Sequence, residues 1–497
     1  MAFASNLFVL GIQWLSNLRS SSNFMRIDFF GFSLSFGPLI GLFIAATLIL
    51  VVRRVFGVAR WHGPADSIYA AHRTDNELDV KNGFASTTAA FVSASGGASV
   101  GQYGPLVHFG ATMGSVIRQV TGSKITTDVF IGCGVAGAIA AGFNAPIAGV
   151  VFAHEAILRH FSLRAIAPIA ISSITAAWIS KWTFGDNPLF MVSDPAPNLI
   201  ELLPAALVAG PIFGLLAVIF MQSLRQSAAF AARSSWSSGR LVFTAAAITG
   251  CVGMFIPEVL GLGSETISFV LSGSYEAFYL ILLLFFKLVA TALCIGFGLF
   301  GGIFSPAMFV GVAAGAVISR ILALVGFSVA GPGLAICGMA SVAAAVIGAP
   351  VAGVMIILEM TMSYEYALAS MLSIVICTMV SSAVFGHSFF DEQLARRGVD
   401  LSRGRSGIEL QAQPIVKVVN QDFVAISPQA SVEDAIEAAI SKQCSEGYCV
   451  GKDNTFMGKY TITMLLNVPR KASIKKHMMC DPVYLSHDAS LLQAMEI

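Results

Sequence analysis

Charge is what this sequence has least of. Asp, Glu, Lys and Arg make up 11% of its 497 residues, against 56% apolar ones, where a soluble globular chain has about 25% charged residues. That shortage, with a mean hydropathy of +0.78, excludes a water-soluble domain for most of the length. An excess of one sign is also missing. The net charge of +1 argues against a nucleic-acid partner. Cysteine is sparse, and none of the eight forms a CxxC pair. Five of them (Cys133, Cys251, Cys294, Cys337 and Cys377) stand in apolar runs, so they read as buried thiols rather than disulfides or metal ligands. No signal peptide is expected, because the first basic residue is Arg19 and no cleavage pattern follows an apolar core. No nucleophile–base pair or carboxylate dyad stands out, which argues against an enzyme. Gly132–Gly137 (GCGVAG) has a dinucleotide-loop spacing but lies inside an apolar run. His154–Glu155 opens a zinc-protease string that Leu158 breaks.

The charge that is present is concentrated at one end. Of the 57 charged residues, 20 fall in the last 97 positions. Residues 1–398 are therefore expected to form a membrane domain, 399–414 a linker and 415–497 a small soluble domain. Apolar segments of spanning or near-spanning length recur at Leu34–Val52, Ala165–Ile179, Leu199–Met221, Leu241–Phe255, Tyr279–Phe297 and Ala367–Val384. Between them, Ser86–Gly97, Phe109–Ile117 and Phe309–Ile318 are too short to cross a ~30 Å core and are predicted to be half-helices or re-entrant pieces. Arg225, Arg233 and Arg240 are predicted to share one polar loop, and Arg396 and Arg397 precede the tail. The positive-inside tendency puts that loop and the C-terminus in the cytoplasm. In the tail, Ile415–Val468 reads strand, helix, strand, strand, helix, with Ser431 as N-cap, Asp434 three residues on, and a hairpin turn at Lys452–Asn454. The pattern restarts at Met479 and stops in its first helix.

Two stretches are near copies. Gly134–Glu155 (GVAGAIAAGFNAPIAGVVFAHE) and Gly338–Glu359 (GMASVAAAVIGAPVAGVMIILE) agree at ten of twenty-two positions, including Pro146 with Pro350 and the final glutamates. Each follows a glycine–proline loop, GQYGP at Gly101–Pro105 and GGIFSP at Gly301–Pro306. Duplication with interrupted helices in matching places indicates a transporter whose site lies between its halves. A glycine loop opening a helix presents unpaired N–H groups at the positive end of the helix dipole, and so suits an anion. Lys81 and Lys287 stand at matching places ahead of the two loops. Each is expected to reach an interface or a carbonyl, because an unpaired lysine in apolar surroundings is costly.

These motifs resemble those of CLC-type chloride channels and chloride/proton antiporters. GGIFSPAMFVG (Gly301–Gly311) resembles the family's GxFxP loop, and GQYGP stands where the family has G(K/R)EGP. Phe143–Pro168 and Phe255–Ile267 are close to the family consensus, and the tail resembles the paired CBS domains that many members carry. The resemblance implies an all-α polytopic membrane fold with inverted internal repeats and re-entrant half-helices, plus a small α/β tail. It also implies a homodimer with a pore in each subunit. It places backbone amides around the central anion at Ile303 and Phe304 and around the outer anion at Gln102, Tyr103 and Gly104.

The departures bear on mechanism. Tyr103 stands where the family has its gating glutamate, and Ala156 where antiporters have an inner proton-relay glutamate. A phenol with a pKa near ~10 neither competes with an anion as a carboxylate does nor carries protons at pH 7. It could plug the path or offer its hydroxyl to the anion. Glu155, just before Ala156, reads as structural. The family's serine loop aligns with Arg60–Pro64 (RWHGP), which puts Trp61 or His62 in place of the serine. Its pore tyrosine falls at Phe390. His62 could restore a donor and make conduction pH-sensitive. The N-terminus reads as short and the second CBS-like unit as cut off. Adenine nucleotide would then need a complete CBS pair, and no other cofactor is expected.

The resulting expectation is passive, uncoupled passage of chloride or a similar monovalent anion, in a membrane protein of a bacterial inner membrane with its tail cytoplasmic. One alternative is proton-coupled antiport through substitute groups such as His62, Tyr103 or His108. Another is a non-conducting sensor acting through the tail.

Overall fold

Long apolar runs fold as helices because a lipid-facing backbone must satisfy its own hydrogen bonds. The computed structural model describes all residues except 22–25, 30–31, 74, 186–189, 191–197, 328–331, 402–406, 408–409, 412 and 420–422. Two units are present, Met1–Asp400 and Leu401–Ile497.

In the first unit, α1 (Ala2–Ser21) precedes two short antiparallel strands, β1 (Arg26–Phe29) and β2 (Phe32–Ser35). Then come α2 (Gly37–Phe56), α3 (Pro64–His72), α4 (Val80–Gly96), α5 (Tyr103–Thr121), α6 (Thr127–Phe143) and α7 (Pro146–Phe152). The last continues as a π-helical turn, Ala153–Leu158. The chain goes on through α8 (Leu163–Phe184), α9 (Leu199–Arg233), α10 (Ser238–Phe255) and α11 (Ser264–Leu271). It ends with α12 (Ala277–Phe297), α13 (Phe304–Leu324), α14 (Gly333–Ile347), α15 (Pro350–Thr361), α16 (Tyr364–Phe385) and α17 (Phe389–Ala395). Among the described residues, seven helices are long and apolar enough to cross a membrane. Their outward faces are greasy, as with Ile44, Val51 and Val55 on α2 and Trp178 and Trp182 on α8.

The duplication in the sequence is a duplication of packing. In the first half α5 lies against α6, and in the second α13 lies against α14. Glycine meets glycine in both: a Cβ on Gly110 would sit 2.3 Å from the Gly134 carbonyl oxygen, and one on Gly311 would sit 2.1 Å from that of Gly338. Any larger residue would push the helices apart. Helix α14 is buried over its whole length, which is why its sequence shows no polar face.

Two expectations are corrected. Ser86–Gly97, Phe109–Ile117 and Phe309–Ile318 are not separate half-helices; they belong to α4, α5 and α13, of 17, 19 and 21 residues. The short apolar pieces are instead α7, α14 and α15, whose proline and glycine boundaries interrupt the run. Arg225, Arg233 and Arg240 do not share a loop either, and Arg240 lies in the first turn of α10. Helix α9 runs on through Arg233, since the alanine-rich QSAAFAAR favours helix despite its polarity.

The second unit holds a three-stranded sheet, β3 (Ala425–Ile426), β4 (Glu446–Val450) and β5 (Phe456–Thr461). Strand β3 is parallel and β5 antiparallel to β4. Helix Val432–Ser441 starts at Ser431, whose hydroxyl accepts the Asp434 N–H while Asp434 accepts the Ser431 N–H. Asn454, in the hairpin turn, takes a left-handed backbone with φ 57°. The first predicted strand is a 3-10 turn, Ile415–Lys417, entered from Pro414.

Candidate functional site

The two glycine–proline loops meet. Gly101 and Gly302 exchange backbone hydrogen bonds, each N–H donating to the other's carbonyl at 2.7 Å. From this bridge α5 starts at Tyr103 and α13 at Phe304. Neither opening turn is capped by the side chain at its start, Gln102 or Ile303. The first N–H groups of a helix have no acceptor within it, so two positive helix ends converge beside the bridge. A Cβ on Gly302 would lie 2.8 Å from the Gly104 nitrogen. Only glycine allows this approach.

Next to the bridge lies a cavity of about 90 Å³. Tyr103, Gly104, Ile303, Phe304, Trp61 and Phe390 line it, so residues from four separated stretches come together as the sequence suggested. Gln102 and His62 are not on its wall. Gln102 is buried behind the loop. His62 donates its backbone N–H to Ser86 Oγ at 2.8 Å and sets its ring 6.1 Å from that of His108. Trp61 spends its own donor on the Gly298 carbonyl at 3.4 Å.

Tyr103 is packed as an aromatic wall. Its ring stacks on Phe143 at 3.8 Å and meets Phe304 edge-on at 5.6 Å, and its hydroxyl donates to the Gly142 carbonyl at 3.3 Å. Phe143 was not picked out from the sequence, yet a signal existed. It pairs with Ile347 in the alignment of the two copies, and Ile347 lines the same cavity. Ala156 is fully buried in the π-helical turn. Beside it, Glu155 accepts the Val351 and Ala352 N–H groups at 3.0 and 2.7 Å, as the first residues of α15 turn away from Pro350. Glu155 is thus occupied with the backbone of the other half.

With this geometry in place, the comparison with known proteins decides the class. The family described as "Voltage gated chloride channel" matches residues 2–382. The chain belongs to the voltage gated chloride channel family. A ClcB-like protein of Ralstonia nicotianae is 29% identical over 355 residues, which are 69% of this chain and 81% of that relative. An H(+)/Cl(-) exchange transporter ClcA of Vibrio cholerae serotype O1 is 30% identical over 313 residues, which are 60% of this chain and 66% of the relative. The fold matches that of a slow cyanobacterial Cl-/H+ antiporter with a TM-score of 0.70 at 20% identity, covering 80% of this chain and 95% of that one.

In this member of the voltage gated chloride channel family, the cavity also touches an ion-pair network. Asp66 and Arg397 border it, and Asp66 pairs with Arg60 at 2.7 Å and Arg397 at 2.8 Å. Helix α17 adds Asp391 with Arg159 at 2.8 Å and Glu392 with Arg396 at 3.0 Å. Burial works against the Asp66 charge, but the Arg60 hydrogen bond and the Arg397 charge prevail and bring its pKa down to about 2. Arginines outnumber carboxylates here, which makes this the basic end of the domain. Lys287, fully buried, donates to the Val259 and Gly261 carbonyls at 2.9 and 3.0 Å and faces the Phe309 ring at 4.9 Å. Lys81, its counterpart, is exposed at the start of α4.

Proposed function

We propose that this protein conducts chloride or a similar monovalent anion across a membrane, with one pathway in each subunit of a homodimer. The observation that carries the reading is the pair of uncapped helix starts joined at Gly101 and Gly302 beside the cavity. Backbone dipoles held in place supply positive potential without a buried cation. Tyr103 and Ala156 favour passage uncoupled from protons, because neither is a carboxylate. The second reading, proton-coupled exchange, draws support from relatives named H(+)/Cl(-) exchange transporters. In our reading the basic end faces the cytoplasm of a bacterial cell and the tail is CBS-like, taking adenine nucleotide only as part of a complete CBS pair.

The test is anion efflux from vesicles holding the purified protein, with external pH recorded and valinomycin present. Chloride efflux without proton movement is expected. Stoichiometric proton uptake would replace the uncoupled reading with exchange, and no flux of any anion would refute transport.

A further inference from the structure

One turn along α5 from the cavity-lining Gly104 lies a polar file that the transport reading does not use. His108 is completely buried. Its Nδ1 is 2.8 Å from Ser67 Oγ, also completely buried. Among the described residues its Nε2 has no hydrogen-bond partner, although a buried imidazole nitrogen normally has one. The half-buried His62 ring is nearest in kind, 6.1 Å away and at 66°, a gap that a single water could bridge. His62 belongs to the loop whose neighbours Trp61 and Gly63 line the cavity. His108 is four residues along α5 from Gly104, about 6 Å of helix.

We propose that His108, connected to water at the basic end through His62, is a proton-binding site that strengthens anion binding in the adjacent cavity. A positive charge there would add to the field of the two helix starts. By linkage, a bound anion would draw a proton onto the pair to the same degree. The charged and titratable groups around His108 are Arg60, His62 and Asp66 from α3 and the loop before it, and Asp79 and Lys81 from the start of α4. Helix α6 brings Asp128, level with the far end of α5, and α13 brings only Arg320, near its own far end. Asp66 stays ionised throughout the neutral range because Arg60 and Arg397 hold it, so it cannot supply a response there. This site differs from the glutamate stations that the family resemblance implies, since neither histidine occupies them. The inference rests on the anion-transport reading.

The experiment measures chloride efflux from vesicles at pH 5.5 and 8 for the wild type and His108→Gln. It also measures proton uptake when chloride is added to the unbuffered wild-type protein in detergent. A unit charge at this range predicts about tenfold faster efflux at the lower pH, proton uptake on chloride addition, and a flat profile in His108→Gln. Glutamine can keep the Ser67 bond but cannot titrate. Efflux that is equal at both pH values, with no proton uptake, would overturn the inference and leave transport standing. A pH response that persists in His108→Gln would also overturn it, as would steady proton counterflow abolished by that substitution, which makes His108 a relay instead. Absence of both efflux and chloride binding would refute the transport reading together with the inference. Should His108→Gln fail to fold, wild-type proton uptake alone decides.

Discussion

Glu155 and Glu359 cap each other's halves. Glu359 accepts the Ile147 and Ala148 N–H groups at 3.0 and 2.7 Å, the same bonds at the same distances that Glu155 makes to Val351 and Ala352. Each carboxylate satisfies the opening turn of a helix whose proline start leaves it short of acceptors. The two glutamates therefore lock α7 to α15 across the pseudo-symmetry axis.

Replacing either carboxylate with an amide leaves one acceptor oxygen where two were used. Glu155→Gln and Glu359→Gln should each lose about 1–2 kcal/mol of stability, seen as a lower thermal midpoint in detergent, while chloride efflux per folded protein stays near wild type. A lost pH response with an unchanged midpoint would give Glu155 a proton role instead.

Tyr103 tests whether the aromatic wall limits flow. Tyr103→Phe removes the hydroxyl and its bond to Gly142 and should keep efflux within about twofold, because little hydrogen bonding is lost. Tyr103→Ala removes the ring beside the helix starts, and efflux should rise. Tyr103→Glu introduces a carboxylate that competes with the anion, so efflux should fall at pH 8 and recover as acid neutralises it. Vesicle efflux of the three variants at pH 5.5 and 8 separates these outcomes.

At Gly302 the constraint is backbone against backbone. Gly302→Ala places a methyl group 2.8 Å from the Gly104 nitrogen and should weaken chloride binding by at least about tenfold by displacing one helix start. Gly239→Ala, where the nearest atom would be 3.7 Å away, is the control. Isothermal titration with chloride compares the two.

Lys287, fully buried, donates to two backbone carbonyls, those of Val259 and Gly261. Lys287→Met should destabilise by about 2–4 kcal/mol, since it strands the Val259 and Gly261 carbonyls in a buried site. The yield of monodisperse protein on size exclusion is the readout.

Much of this architecture was visible in the residues. The repeated segment and its glycine–proline loops carried the inverted halves, because helix interruptions leave a mark in Gly and Pro. Tyr103, Gly104, Ile303, Phe304, Trp61 and Phe390, picked out by the family resemblance, line one cavity. Helix lengths were less legible. Phe109–Ile117 read as a fragment because the glycine–proline loop before it and the polar Arg118–Thr121 after it interrupt the apolar run, yet both belong to the one helix Tyr103–Thr121. The Arg225–Arg233 stretch read as a loop because polarity was weighed above helix propensity. The direction of His62 could not be read at all. It is set by a backbone bond to Ser86, and backbone contacts leave no side-chain signature.

The hydrogen bonds between Gly101 and Gly302 also limit how this protein can move. A carrier that tilts one half against the other must separate the surfaces that hold its cargo. Here those surfaces are stitched by two short bonds at the point of contact, so tilting would dismantle the site it is meant to expose. Access has to change by smaller means: a ring turning on its side-chain torsions, or an arginine leaving its carboxylate. If the bridge seats the anion, as proposed above, that seat stays fixed while the side chains around it move.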